Sequence, residues 1–333
     1  MKKIFVFFIL LISSVVFGQQ AKEIVNFFKP NYGWAVEVPF KDFVVMEAKQ
    51  FDKDCLKIEA YNDKEKVILD FYFDKGTPYA DSKKVRDYYE NIIKQSGVNI
   101  TSIEKWEKDG AAFLIYKAKG VLIGDPPKDE LNGSFYRSKG STWIDVRFRI
   151  QDPKDEDKQK IAKMLDKVKF VEGFEPSSED NLFMGTMFCL SDFPEFCISC
   201  YSNAYDKEKK IPQLKRELRI ALIQNYADAL RLEGNRKKAM EVLNYGLAFD
   251  NNYPMYYWIK ARIYANEGDE ENTIRMIKQA VENAENLLPG EKFPDPRQDE
   301  AFKILGLKES FKQRMTEIFA PKEPSEKSDT SKK

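Results

Sequence analysis

The stretches Ala227-Asp228-Ala229-Leu230-Arg231-Leu232-Glu233-Gly234-Asn235 and Ala261-Arg262-Ile263-Tyr264-Ala265-Asn266-Glu267-Gly268-Asp269 decide how this chain is read. They lie 34 positions apart, as do Leu243 and Ile277, and Gly246 and Ala280. Small residues fall on small ones and large apolar residues on large apolar ones. That period belongs to a repeated two-helix unit. Ala227 and Ala261 stand where the two helices of a unit come closest. Gly234 and Gly268 end the first helix, where a left-handed residue is cheapest as glycine. Asn235 and Asp269 follow as N-caps of the second helix. Leu243 and Ile277 fill the space between helices, and Gly246 and Ala280 admit the next unit.

On these residues the segment from Leu222 to Leu287 resembles the tetratricopeptide-repeat family. It departs at Thr273, where the first unit has Ala239, and at Lys260, where the first unit has Tyr226. The resemblance implies stacked helical hairpins with a concave face that takes a peptide or a partner's helix. Gln224, Asp228, Arg231, Tyr256, Lys260 and Tyr264 are the candidates to line that face. Two units alone leave apolar faces open, so the flanks must cap them. Pro212 is read as opening the first long helix. Pro289, Pro294 and Pro296 exclude a regular third unit. Phe302, Leu305, Leu307, Phe311, Met315 and Phe319 then supply short capping helices. The helical domain spans 212–319, and 320–333 is a polar, disordered tail.

At the other end, Lys2 and Lys3 precede an apolar run from Ile4 to Ile12, with Val16 and Gly18 placed before Gln19 like the small residues of a cleavage site. This describes a signal peptide over 1–18. The run is shorter than the ~20 apolar residues a span needs, and no later stretch is apolar enough. The expectation is an exported chain, periplasmic or secreted, with no membrane span once mature.

Composition narrows the chemistry. Lys and Arg number 54, balanced by 54 Asp and Glu, so electrostatic capture of nucleic acid is not indicated. Histidine is absent, which rules out Ser-His-Asp and Cys-His catalysis and histidine-ligated metal. Carboxylate pairs remain chemically allowed, but none stands out.

Between 21 and 173 the pattern is strand-like with two helices. Trp34, Val36 and Val38 share a face; so do Leu56, Ile58 and Ala60; so do Val67, Leu69, Phe71 and Phe73. Phe43 to Ala48, Ile100 to Trp106 and Ala112 to Ala118 are further extended runs. Ile144, Val146, Phe148 and Ile150 face away from Trp143, Asp145, Arg147 and Arg149. Period two with mixed polarity predicts antiparallel strands with one buried face. Val85, Tyr88, Tyr89, Ile92 and Ile93 have helical spacing, with Asp81 or Ser82 as cap and Gly97 as stop. Ile161, Met164, Leu165 and Val168 mark a closing helix. Val121 to Gly133 reads as a long connection or a binding loop. With its opening Gly33-Trp34 strand and closing strand–helix pair, the segment resembles the PsbP-like α/β/α fold. That resemblance implies a non-catalytic accessory or binding protein. The fold class is thus α+β: a mostly antiparallel sheet with two helices, then an all-α hairpin domain.

The joint, 174–211, reads as a linker, Glu175 to Asp180, and a cysteine-bearing capping segment. Cys189, Cys197 and Cys200 are the disulfide candidates. Buried free thiols and a redox Cys197/Cys200 pair are the competing readings. The functional expectation is a non-enzymatic, exported interaction protein that uses no cofactor or metal and binds a protein or peptide through the hairpins. The alternatives are a ligand-binding accessory protein with an apolar pocket in the N-terminal sandwich, or a thiol-redox protein.

Overall fold

The computed structural model describes residues 22–52, 55–121 and 128–320. The leader over 1–18, the tail beyond residue 320 and residues 122–127 of the expected loop lie outside the described residues. No helix among the described residues is long and apolar enough to cross a membrane. The chain divides into two compact units, the first through Leu222 and the second from Ile223.

The first unit is sheet-rich. Strands β1 (Ile24–Phe27), β2 (Trp34–Pro39) and β10 (Lys169–Glu172) form a small antiparallel sheet in the order β1-β2-β10. A seven-stranded antiparallel sheet runs β3-β4-β5-β9-β8-β7-β6. Its strands are β3 (Val44–Asp52), β4 (Cys55–Asn62), β5 (Val67–Lys75), β6 (Asn99–Lys108), β7 (Ala111–Val121), β8 (Lys128–Lys139) and β9 (Thr142–Gln151). Because successive side chains alternate faces, the register assigns each residue to a side. Leu69 lies across from Phe148, Phe71 from Val146 and Phe73 from Ile144. Onto this apolar face the small sheet packs its aromatics, Phe27 stacked on Phe71 at 4.2 Å and Trp34 edge-on to Phe73 at 5.6 Å. Helix α2 (Asp157–Leu165) lies on the same face, with Ile161 and Leu165 over Gly133.

The opposite face carries α1 (Ser82–Gln95). Its N-cap is Asp81, which accepts from the Lys84 amide at 2.7 Å. Val85, with Tyr89 and Ile93, packs on Ala112, Leu114, Tyr116, Ala118, Tyr136 and Trp143. Helices α3 (Ser178–Leu190) and α4 (Pro194–Lys210) close the unit as a hairpin. Phe183 of α3 sits edge-on to Phe27 and Phe40.

Three expectations change here. Lys128 to Gly133 is not loop but the first half of β8, because Leu131 pairs with Lys117 of β7 and Ile150 of β9. Asn132 in that strand is buried. The run Ser177 to Asp180 begins α3 rather than a linker: Ser177 and Asp180 make a reciprocal capping box. The helix expected at Pro212 starts only at Arg216, because the Glu208 carboxylate takes the Gln213 and Leu214 amides at 3.1–3.2 Å and holds that stretch out of helix.

The helical region starts with α5 (Arg216–Leu232) and continues with α6 (Arg236–Phe249), α7 (Pro254–Asn266), α8 (Glu270–Glu282) and α9 (Glu309–Ile318). Gly234 and Gly268 take positive φ, 80° and 75°, and Asn235 and Asp269 accept the Lys238 and Asn272 amides. Ala227, Leu243, Ala261, Ile277 and Ala280 are fully buried. A methyl group placed on Gly246 would stand 2.7 Å from Ile223 Cγ2 and 2.9 Å from Tyr256 Cε2. α6 therefore approaches both flanking helices at a residue with no side chain.

Candidate functional site

In the helical unit, an i, i+4, i+7 stripe on α5 brings Gln224, Asp228 and Arg231 onto one face. Thirty-four positions on, the matching stripe of α7 is Trp258, Arg262 and Ala265. The structure joins the two stripes. Arg231 Nε bonds Asp228 Oδ1 at 2.6 Å, and Arg262 Nη1 lies 3.6 Å from the same oxygen. Burial works against the Asp228 charge, but Arg231 and Arg262 outweigh it and hold the carboxyl below its ordinary range. The Tyr253 hydroxyl is 2.7 Å from Gln224 Oε1.

The other three candidates lie off this stripe. Tyr256 is fully buried and packs against Gly246. Lys260 reaches Asn244 of α6 at 3.0 Å, and its ammonium pKa is pulled down by burial and by Arg275. Tyr264 is half-buried. Tyr256, Lys260 and Tyr264 share a stripe with one another, but it matches Leu222, Tyr226 and Leu230 of the first unit, which is the packing side. Carrying the period over from Gln224 points instead to Trp258 and Arg262.

The shared face is occupied by the chain itself. After α8, the stretch from Leu288 to Asp299 has no regular secondary structure, as its three prolines require. Glu291 places its carboxylate oxygens 2.9 and 3.0 Å from the Tyr253 hydroxyl. Phe293 sits edge-on to Trp258 at 5.1 Å. Asp299 Oδ2 accepts from Trp258 Nε1 at 2.9 Å and from Arg262 Nε at 2.7 Å. Phe302 closes on the same indole at 5.3 Å.

In the sheet unit, sequence reasoning missed a buried ionic network. The face of β9 expected to be polar is indeed polar, yet it is covered. Asp145 is 1% exposed and Asp70 2%. Asp70 is paired with Arg149, whose Nη1 lies 3.5 Å from Glu130 Oε1. Lys57 Nζ is 2.8 Å from Glu59 and 3.5 Å from Asp70. Arg147 Nη2 bonds Asp145 Oδ2 at 2.6 Å. Burial raises the Asp145 carboxyl to about 6 despite the Arg147 charge. Period-two polar residues on adjacent strands, Asp70, Asp145/Arg147/Arg149 and Glu130/Asn132/Ser134, were the signal available for it. On the apolar side, the rings of Phe27, Phe71, Phe73 and Trp34 pack against one another.

Cys189 and Cys197 form a disulfide. Cys200 is a buried free thiol, pushed up by burial, and Cys55 is a second buried thiol. The Cys197-x-x-Cys200 pair is therefore not a dithiol: its first sulfur is bonded to Cys189.

No protein-family model matches the chain, and no curated protein matches it. Among solved structures, cyanobacterial PsbP (CyanoP) from Synechocystis sp. PCC 6803 shows a weak resemblance, with a TM-score of 0.31 and 12% identity over 45% of this chain and 92% of that one. A protein of Bacteroides thetaiotaomicron VPI-5482 matches with a TM-score of 0.26 and 10% identity over 64% of this chain and 80% of that one. At these scores neither likeness says anything about function.

Proposed function

We propose that this chain is an exported, non-enzymatic adaptor that holds a protein partner on the first-helix face of two tetratricopeptide-like hairpins. One observation carries the reading: on that face Trp258 and Arg262 hold an irregular peptide segment through side-chain contacts. A surface that binds one extended segment in this way has the chemistry to bind another. Export rests on the leader pattern of Lys2 to Gly18, and the Cys189–Cys197 disulfide is compatible with it.

The test is capture by the full-length chain, with cross-linking, from extracts of the native host. A partner held by the wild type should be lost with Arg231→Gln and with Trp258→Ala, and kept with Lys105→Glu on the exposed edge strand β6. Thermal melts confirm that each variant is folded. Capture that ignores both face variants, or that fails with the edge-strand variant, overturns the proposal.

A further inference from the structure

The 34-residue period places the start of a third unit near Leu288, but Pro289, Pro294 and Pro296 prevent a helix there. The chain instead crosses the face of α7 as an irregular strap held at four points, Glu291 on Tyr253, Phe293 and Phe302 on Trp258, and Asp299 on Trp258 and Arg262. Between its buried ends, Leu288 and Phe302, the strap is half-buried or exposed throughout. The helices beneath it bury most of their residues. Two of the four contacts set a carboxylate against a donor, and the other two are aromatic on aromatic.

We propose that the strap Leu288–Phe302 is an intramolecular occupant of the hairpin face, and that it excludes a partner segment of the same chemistry: an acidic, extended peptide carrying an aromatic residue. This rests on the adaptor reading and adds the partner's chemistry and the means of control. Complementarity follows from the groups on α7. The Arg262 guanidinium, with Trp258 Nε1 beside it, presents donors to a carboxylate, and the Trp258 ring presents an edge-accepting surface to an aromatic side chain. A tethered strap acts at roughly millimolar effective concentration. A free peptide must bind the bare face well below that to compete, so the strap sets a threshold on which partners enter.

The experiment uses the full-length protein and a fluorescent synthetic peptide of residues 288–302, read by anisotropy. Wild type should bind it weakly. The strap variant Phe293→Ala/Asp299→Asn should bind it at least tenfold more tightly. A peptide carrying Asp299→Asn should lose at least tenfold on the strap variant. A strap variant with unchanged circular dichroism that binds no more tightly than wild type overturns the proposal, as does equal binding of the two peptides. Should the strap variant lose helical signal, hydrogen exchange on the wild type decides. Amides of the strap should open at lower free energy than those of α5 to α8. Exchange of the strap only with global unfolding overturns the proposal. If face-dependent capture succeeds while the peptide fails, the adaptor role stands and the strap's chemistry is refuted. If the peptide binds but no partner is captured, the adaptor role falls.

Discussion

Gly246 offers the sharpest test of how the helical unit is built. Replacing it with alanine improves helix propensity by about 1 kcal/mol. The added methyl, however, stands 2.7 Å from Ile223 Cγ2 and 2.9 Å from Tyr256 Cε2. Both neighbours are fully buried, so neither can swing into solvent, and the helices must separate. Overpacking of this kind costs about 1–3 kcal/mol. The net expectation is a loss of about 1 kcal/mol for Gly246→Ala, and about 3 for Gly246→Val, whose extra methyls have nowhere to go. In a unit of about a hundred residues, each kcal/mol lowers the melting temperature by roughly 4–8 °C. Far-ultraviolet circular dichroism during heating follows the loss of helix. The companion substitution runs in the opposite direction at the matching position. Ala280→Gly removes a buried methyl, about 0.8 kcal/mol, and about 1 kcal/mol of helix propensity. Opposite changes at equivalent positions should therefore both destabilise. A Gly246→Ala protein that melts at or above wild type would mean the helices relax freely there, and the close-approach argument would be lost.

Two further outcomes test the sheet unit. Asp145 has its carboxyl raised to about 6 by burial, against an unfolded value near 3.8, so the native state holds this proton more tightly than the unfolded chain. Its contribution is complete below about pH 4 and is lost as pH rises to about 6, on the order of 3 kcal/mol in all. Denaturation of wild type and Asp145→Asn at several pH values isolates it: wild type should fall relative to the variant as pH rises, and a rise instead would show Arg147 dominating over burial. Replacing Cys189 and Cys197 together by serine should cost about 2–3 kcal/mol, as expected for a bridge spanning eight residues. Non-reducing peptide mapping should show those two cysteines joined and Cys200 protected from alkylation until the protein unfolds.

Local signals carried far. The antiparallel strands were legible because period-two patterns such as Val67, Leu69, Phe71 and Phe73 need only the alternation of a pleated chain. Asp81, Asn235, Asp269, Gly234 and Gly268 were legible because caps and left-handed stops depend on a few adjacent residues. β8 was missed because Gly133 and two prolines masked a strand that long-range pairing with β7 and β9 stabilises. Strands β1 and β10 were not read either: each is four residues long and is held by pairing with β2.

By itself the sequence determined the longer period-two strands of the first unit, the 34-residue period and the small residues that recur with it, since each follows from local backbone preference and spacing. Only the tertiary structure decided which helix stripe meets the proline-bearing strap, that Cys189 rather than Cys200 pairs with Cys197, and that Asp70 and Asp145 are buried. Those outcomes depend on which distant groups meet, and burial and charge pairing have no value until the packed neighbours are in place.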